Sequence, residues 1–480
     1  MKVLVLNCGS SSIKFQVFEM DNEDNIAKGV VEKIGSSNAI LTFKPKGREK
    51  IVQTREIINH QVALDLVLNT LRNSQYGILK SKSEIDAIGH RLVHGGEEFA
   101  QSVFITDEVK EGLRRCIQFA PLHNPHNLKG VEVCEKILPG IPQVGVFDTA
   151  FHHSLLPKAY IYALPMALYR KLRIRRYGFH GTSHKYVVYK AAKYLKTPIE
   201  KLKIISCHLG NGCSIAAVDG GKSVDTSMGF TPLEGLVMGT RCGDIDPALV
   251  SYIAQNEKLS LEKIDNLMNK SSGMLGLTET SNDLREIELE AKKGSKQHEL
   301  AMDIFCYRIK KYIGAYAAVL GDLDVLIFTA GIGEKSWYIR GEVLKNMEYL
   351  GIKFDPKKNS KNEFDIGAGK VKVLVIPTNE ELAIARDTVT VLNSIKKETE
   401  EQVSEKIVSE EILQLTSDDK AELISIWFKN PYISLLELSQ KLSKKSGKKV
   451  SIHVIKQELK LLGLDKVSEK KKIEFTKRTY

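Results

Sequence analysis

No run in these 480 residues approaches the roughly 18 consecutive apolar residues that a membrane-spanning helix needs. That lack excludes an integral helical membrane protein and leaves a soluble, cytoplasmic chain as the expectation. Cysteine is sparse: the seven are scattered without a CxxC pair. An odd number without paired spacing argues against a disulfide framework and for a reducing compartment. Neither His180 nor His184 sits in a zinc-type pattern, and no short-period repeat or low-complexity tract occurs. The opening Met1-Lys2-Val3-Leu4-Val5-Leu6-Asn7-Cys8 superficially matches a lipoprotein leader. Its apolar part is too short, and polar Asn7 stands where a small residue is required, so it reads as a first strand. What is present is ordinary globular composition, 42% hydrophobic, over a length sufficient for about three domains.

Three short apolar runs each pass into a glycine-bearing turn. Val3-Leu4-Val5-Leu6 precedes Asn7-Cys8-Gly9-Ser10-Ser11-Ser12, and Lys203-Ile204-Ile205-Ser206-Cys207 precedes His208-Leu209-Gly210-Asn211-Gly212. Val325-Leu326-Ile327-Phe328 precedes Thr329-Ala330-Gly331-Ile332-Gly333-Glu334-Lys335. Such units are natural phosphate cradles, because backbone N–H groups can approach an anion where no Cβ intervenes. Glycine also ends strands for structural reasons alone, so a single turn would carry little. Three in one chain, each with Asn, Ser, Thr or Lys, favour a nucleotide phosphotransferase. Strand-like runs alternate with helical ones from Met1 to about Lys396, as in an α/β protein. The patterning predicts helices over 60–72, 106–118, 183–195, 298–320 and 380–395, and further strands over 85–89, 143–147 and 371–376. Recurrence of the turns in both halves suggests two related α/β lobes with a cleft between.

Phosphoryl transfer asks for positive charge around the moving group, a metal site and an aligned acceptor. Arg91, in Gly89-His90-Arg91-Leu92-Val93-His94-Gly95-Gly96, can clasp a carboxylate through two N–H groups, although an ion-paired surface Arg reads equally well from this segment alone. Asp148 ends an apolar strand, where it suits metal or substrate positioning or caps the next helix. His180, in Tyr177-Gly178-Phe179-His180-Gly181-Thr182-Ser183-His184, can donate to a phosphoryl oxygen. Arg241 lies between Gly239 and Gly243. Glu380 and Glu381 open a helix, where acidic residues are favourable in any case and can also bind magnesium.

The segments VLVLNCGSSSIKF, YGFHGTSH, HLGNG, MGTRCGD, FTAGIGE and TNEEL occur in this order, and with them residues 1 to about 396 resemble the acetokinase family. The resemblance implies an α/β, two-lobed sugar-kinase/actin-like ATPase fold with an interlobe cleft. Its first lobe would span 1–149, joined by a returning helix at about 382–396, and its second 150–381. It implies reversible, direct in-line transfer of the ATP γ-phosphoryl to acetate, giving acetyl phosphate and ADP. Asn7 and Glu380 would hold Mg2+, or Mn2+ in its place, with Glu381 the second choice. ATP or ADP would lie against Lys14, the His208-Leu209-Gly210-Asn211-Gly212 turn, Asp283-Leu284-Arg285 and Gly331-Ile332-Gly333-Glu334-Lys335. Arg91 would hold the acetate carboxylate, Asp148 would be the essential active-site acid, and His180 and Arg241 would stabilise the phosphoryl in flight. Val93, Leu122, Phe179 and Pro232 would receive the methyl group. Acetate is ionised near neutral pH, so Asp148 is expected to position substrate or metal-bound water rather than take a proton. A homodimer is the family expectation. The alternatives are a propionate or butyrate kinase of the same family, and a DNA-binding regulator with a kinase-like sensor core.

The charge is uneven: +9 over residues 1–397, −7 over 398–419 and +9 over 420–480. The acidic stretch 398–419 reads as a linker or a solvated helix. Beyond it Thr416, Ser434 and Ser451 are placed to cap three short helices, so 420–480 reads as a small all-α appendage. Its Asn430-Pro431-Tyr432-Ile433-Ser434-Leu435-Leu436-Glu437-Leu438 and Leu461-Leu462-Gly463-Leu464 resemble transposase-type helix-turn-helix modules. His453, Lys456, Gln457 and Lys460 would share one face of the third helix, opposite Ile452, Ile455, Leu459 and Leu462. Nucleic-acid binding through that face, a protein-interaction role and a passenger without function are all open.

Overall fold

The computed structural model describes residues 1–121, 123–412, 415–430, 433–448 and 450–464. The chain divides into two compact units, Met1–Val391 and Leu392–Tyr480. The first unit holds two sheets. The larger comprises β1 (Lys2–Cys8), β2 (Ser12–Glu19), β3 (Asp24–Glu32), β4 (Ser36–Pro45), β5 (Ile51–Ile57), β6 (Ala87–Leu92), β7 (Val103–Phe104) and β8 (Gln143–Phe147), in the order β5-β4-β3-β2-β1-β6-β8-β7. The smaller comprises β9 (Lys203–Leu209), β10 (Cys213–Asp219), β11 (Lys222–Thr226), β12 (Val325–Thr329) and β13 (Lys372–Val375), in the order β11-β10-β9-β12-β13.

The two sheets share a plan. In each, a parallel trio (β1, β6, β8 or β9, β12, β13) is extended by two antiparallel strands, β2 and β3 or β10 and β11. Parallel strands buried on both faces should read as unbroken apolar runs, and they do: Val3, Leu4, Val5, Leu6 and Val325, Leu326, Ile327, Phe328 are all buried. The meander β2–β5 follows the other rule. In β4, Ala39, Leu41 and Phe43 are buried while Thr42 and Lys44 between and beyond them are not, the alternation of a sheet with one core face.

Helices pack against these sheets. His60–Leu71, Asp107–Arg115, Gly181–Leu195 and Lys296–Leu320 lie where periodicity predicts helices, the second passing into a 3-10 turn at Cys116–Phe119. Along Lys296–Leu320, Ala301, Phe305, Ile309, Ile313 and Tyr316 are buried, one face at a period near 3.6. The helix predicted over 380–395 runs Glu380–Ile412. No helix among the described residues is long and apolar enough to cross a membrane. All seven cysteines are free.

In the second unit, Ser417–Lys429, Leu435–Ser446 and Ile452–Leu461 are helical, with capping boxes at Thr416/Asp419 and Ser434/Glu437 and a Ser451 cap on the third. Their core includes Leu423, Trp427, Leu438, Leu442, Val454, Ile455 and Leu459. The apolar face of the third helix differs from the one the sequence pattern predicts. Val454, Ile455 and Leu459 are buried, together with Glu458, which pairs with Lys420 at 3.0 Å, whereas Ile452 and Leu462 remain 38% and 39% exposed. His453, Lys456, Gln457 and Lys460 are exposed.

Candidate active site

Where a parallel strand ends, its backbone stops pairing and the following turn faces a crevice. The candidate residues collect at such ends. Arg91 is the penultimate residue of β6, Asp148 directly follows β8, His208 lies near the end of β9, and Glu380 opens a helix after β13. Arg91 Nε donates to Asp148 Oδ1 at 3.0 Å and Arg91 Nη2 to Oδ2 at 2.6 Å, a bidentate pair. Glu380 Oε2 lies 3.8 Å from Arg91 Nε. Asp148 foremost, with Glu380 and Glu381, holds the Arg91 guanidinium still more firmly protonated than usual. Burial pushes the Glu380 carboxyl up to about 7; Arg91 and Lys14 pull it down, while Asp148 and Glu381 add to the rise. Lys14 stands directly across from Asn7 in the β1–β2 register, and its charge reaches Glu380.

Asp148 also anchors the loop that bears His180. Its carbonyl accepts from Gly181 N–H at 2.8 Å, and His152 Nε2 is 3.0 Å from the Phe179 carbonyl. Gly178 has φ 75°, and a Cβ there would come within 2.4 Å of Thr226 Cγ2. His180 itself adopts φ 56° at the N-cap of the Gly181–Leu195 helix, a left-handed conformation that costs a non-glycine residue about 1–3 kcal/mol and persists only where its surroundings fix it. Burial, then the nearby His208, His184, Arg91 and Arg241, hold its imidazole well below the ordinary histidine range, hence neutral.

Hydroxyls orient these rings. His180 Nδ1 is 2.9 Å from Ser214 Oγ, His184 Nε2 is 2.8 Å from the same oxygen, and His184 Nδ1 is 2.9 Å from Ser206 Oγ. His208 stacks on His180 with centroids 4.1 Å apart and meets Ser183 Oγ through Nδ1 at 2.8 Å. Sequence reasoning missed Ser206 and Ser214 and gave His184 no role. The available signal was His184 itself, four residues and one helical turn beyond His180.

The glycine turns converge from several directions. A Cβ on Gly212 would stand 3.4 Å from both Arg241 Nη1 and the His180 ring, and one on Gly210 would stand 3.8 Å from Ala330 Cβ. Asn211 O accepts from Gly239 N–H at 2.9 Å, and Asn211 Oδ1 accepts from Asn282 Nδ2 at 3.3 Å. Arg241, the Asn282-Asp283 segment and the start of the third turn thus meet at the β9–β10 turn. Positive φ is not what glycine supplies at Gly9, Gly210, Gly212, Gly331 or Gly333; in the third turn Ala330 takes φ 62°.

Asp283 caps the Leu284–Lys292 helix and pairs with exposed Arg285, while Leu284 is buried in the core. Gly331, Ile332, Gly333, Glu334 and Lys335 form a short helix, and Glu334 Oε1 accepts from Thr378 N–H at 3.1 Å. Val93 and Phe179 are buried in one apolar cluster, and the Pro232 carbonyl accepts from Arg241 Nη1 at 3.4 Å. Leu122 lies outside the described residues. No cluster of three or more His, Cys, Asp or Glu arranged to hold a metal occurs among the described residues. Magnesium takes one or two carboxylates, with water and substrate phosphates completing its shell, and the half-buried Glu380 carboxyl, near Asp148, is a donor that a cation would keep ionised.

Comparison with known proteins assigns most of the chain to one family. The acetokinase family matches residues 2–386. The acetate kinase of Desulfitobacterium hafniense (strain DSM 10664 / DCB-2) is 56% identical over 396 residues, 82% of this chain and 99% of that protein. The acetate kinase of Halothermothrix orenii is 53% identical over 399 residues, 82% of this chain and 100% of that protein. Among solved structures, Porphyromonas gingivalis acetate kinase aligns with TM-score 0.79 at 50% identity, covering 82% of this chain and 99% of that one. A propionate kinase from Francisella tularensis aligns with TM-score 0.77 at 43% identity, covering 81% and 99%.

Proposed function

The chain belongs to the acetokinase family, and from that premise we propose that it transfers the γ-phosphoryl group of ATP reversibly to acetate, giving acetyl phosphate and ADP. The observation that carries the reading is Arg91, doubly bonded to Asp148 and next to Glu380, with Arg241 and a neutral His180 both beside Gly212. An acetate oxygen attacks the γ-phosphorus as the bond to the β,γ-bridging oxygen breaks, and no proton moves because the acceptor is already a carboxylate. Arg91 keeps three N–H donors beyond the two given to Asp148, enough to hold that carboxylate. Asp148 fixes the plane of Arg91 and takes no proton. His180 donates from Nε2 to a phosphoryl oxygen, which requires Nδ1 to accept from the Ser214 hydroxyl. Ser214 then accepts from His184 Nε2–H, and His184 Nδ1 accepts from Ser206. Arg241 neutralises charge on the moving phosphoryl. Glu380 and Asn7 would hold magnesium, which would supply positive charge to the nucleotide phosphates.

We further propose that the two sheets are the two lobes of a sugar-kinase/actin-like ATPase, divided near 149, that the chain pairs as a homodimer, and that the basic helices after Thr416 form a helix-turn-helix-like module for nucleic acid. Sedimentation tests the dimer, and a monomer at assay concentration would dismiss it. A coupled assay with acetate, propionate and butyrate tests the activity. Acetate should be preferred, propionate modestly poorer and butyrate poorer still, because overpacking by methylenes costs about 1–3 kcal/mol. No magnesium- and ATP-dependent formation of acyl phosphate from acetate would overturn the assignment, and a specificity constant higher for propionate would move it to the propionate kinases.

A further inference from the structure

The Gly181–Leu195 helix has two faces with different uses. Val187, Val188, Ala191 and Ala192 are buried in the core. Tyr186, Tyr189, Lys190 and Lys193 instead line a cavity of about 990 Å³. Its other walls come from residues 100–102 and the end of β8, from Gly221 and Lys222 at the β10–β11 turn, and from Ala383, Arg386 and Asp387. The cavity therefore touches both sheets' elements and the helix that follows β13, and no residue given a role in phosphotransfer lines it.

Its charge is one-sided. Lys185 is paired with Asp387 at 3.0 Å, and Arg386 with Glu23 at 2.5 Å. Lys190, Lys193 and Lys222 also line the cavity and form no ion pair among the described residues; Lys193 exerts only a minor pull on Glu23. Beneath these cations the wall is aromatic and apolar, with Phe147, Phe151, Tyr186 and Tyr189. The Tyr186 ring already faces two cations, Lys190 Nζ at 5.5 Å and the Arg386 guanidinium at 5.8 Å from its centroid. Thr182, on the same wall, has a buried hydroxyl with no hydrogen-bond partner, an unfavourable state that a polar group of a ligand would relieve.

We propose that this cavity is a second ligand site, for an organic phosphate of about mononucleotide size carrying a flat aromatic group. A bare phosphate would use the lysines and leave the aromatic wall wet. The volume lies at the upper end of the roughly 300–1,000 Å³ of small-molecule sites. Lys190, Lys193 and Lys222 meet the phosphate, and the aromatic group lies against Tyr189 and Tyr186, where stacking is favourable.

Flavin mononucleotide is a suitable probe, because it combines one phosphate with a flat fluorescent ring. Titration of the full chain in the presence of saturating ADP and Mg2+ should show one saturable site per chain. Lys190→Glu with Lys193→Glu, both on the solvent side of the helix, should weaken it at least about tenfold, and Tyr189→Ala should weaken it as well. Lys222→Glu, on a separate element, should do the same if the cavity is the site, which guards against local damage to the helix. Unchanged acetate phosphorylation without the flavin would certify the folds of all these variants. Inorganic phosphate in excess should displace little of the probe. Absence of saturable binding, binding that ADP removes, undiminished binding in the charge-reversed chains, or full displacement by inorganic phosphate would each overturn the proposal.

Discussion

Arg91 and Glu380 are in contact range and both are shifted upward, Arg91 by the carboxylates around it and Glu380 by burial, and each yields its own prediction. Truncating Arg91 or Arg241 to Ala removes a charge-assisted donor from a site with few others, so turnover should fall by about 10²–10³ with the fold intact. Arg91→Lys should recover little, because a point ammonium cannot keep the two-pronged contact with Asp148 and also orient an acceptor carboxylate. Near-normal turnover in both Ala variants would remove these residues from the reaction. Glu380 is governed by its surroundings. Its carboxyl titrates near 4.5 in an unfolded chain and near 7 when folded, so between those values the folded state holds a proton that the unfolded state has released. Stability without magnesium should therefore decline as pH rises from about 4.5 to about 7, and Glu380→Gln should flatten that part of the curve. Thermal midpoints of both chains across this window check it; identical slopes would show that Glu380 titrates normally.

Elements set what was legible beforehand. Strands β1, β9 and β12 announce themselves because burial on both faces demands unbroken apolar runs, and the residues that end them are those the family motifs mark. The β2–β5 meander was not anticipated, although Lys14, Lys28 and Lys44 stand at exposed positions next to buried ones; Gly29, over which Phe15 packs, breaks the pattern in β3. The seryl hydroxyls behind His180 escaped for a different reason. Ser206 and Ser214 lie 22 and 30 residues along the chain from His184, and the antiparallel β9–β10 pairing brings both to it. Ser214→Ala should lower kcat more than it raises KM, because it frees the His180 ring without removing a substrate contact. Nitrogen-15 spectra of labelled histidine should show the His180 Nε2–H form in the parent chain and a mixture in the variant. An unchanged tautomer together with unchanged kcat would mean that the hydroxyl only fills space.

At the scale of the whole molecule, the family match ends at residue 386 while the second unit begins at Leu392. A chain ending near Lys397 should therefore keep its phosphotransfer activity, since every assigned residue precedes it; loss of soluble, active protein would show that the second unit is structurally required. The released helices should bind DNA with affinity that falls steeply with salt, and a flat signal at low salt would leave them as an interaction module or a passenger. The scattered cysteines carry one more consequence. Cys8, Cys116 and Cys134 are buried in the half built on the larger sheet, and Cys207, Cys213 and Cys306 in the half built on the smaller, while Cys242 alone is half-buried. A buried thiol stays protonated and inert until its surroundings open; Cys8 and Cys213 are both pushed up to about 12 by burial. The chain thus carries two sets of internal clocks. With a thiol reagent Cys242 should react first, and the two triplets should follow at the opening rates of their own halves. ADP should slow the Cys207–Cys213 set, which brackets the β9–β10 turn, and leave the Cys8 set nearly on time.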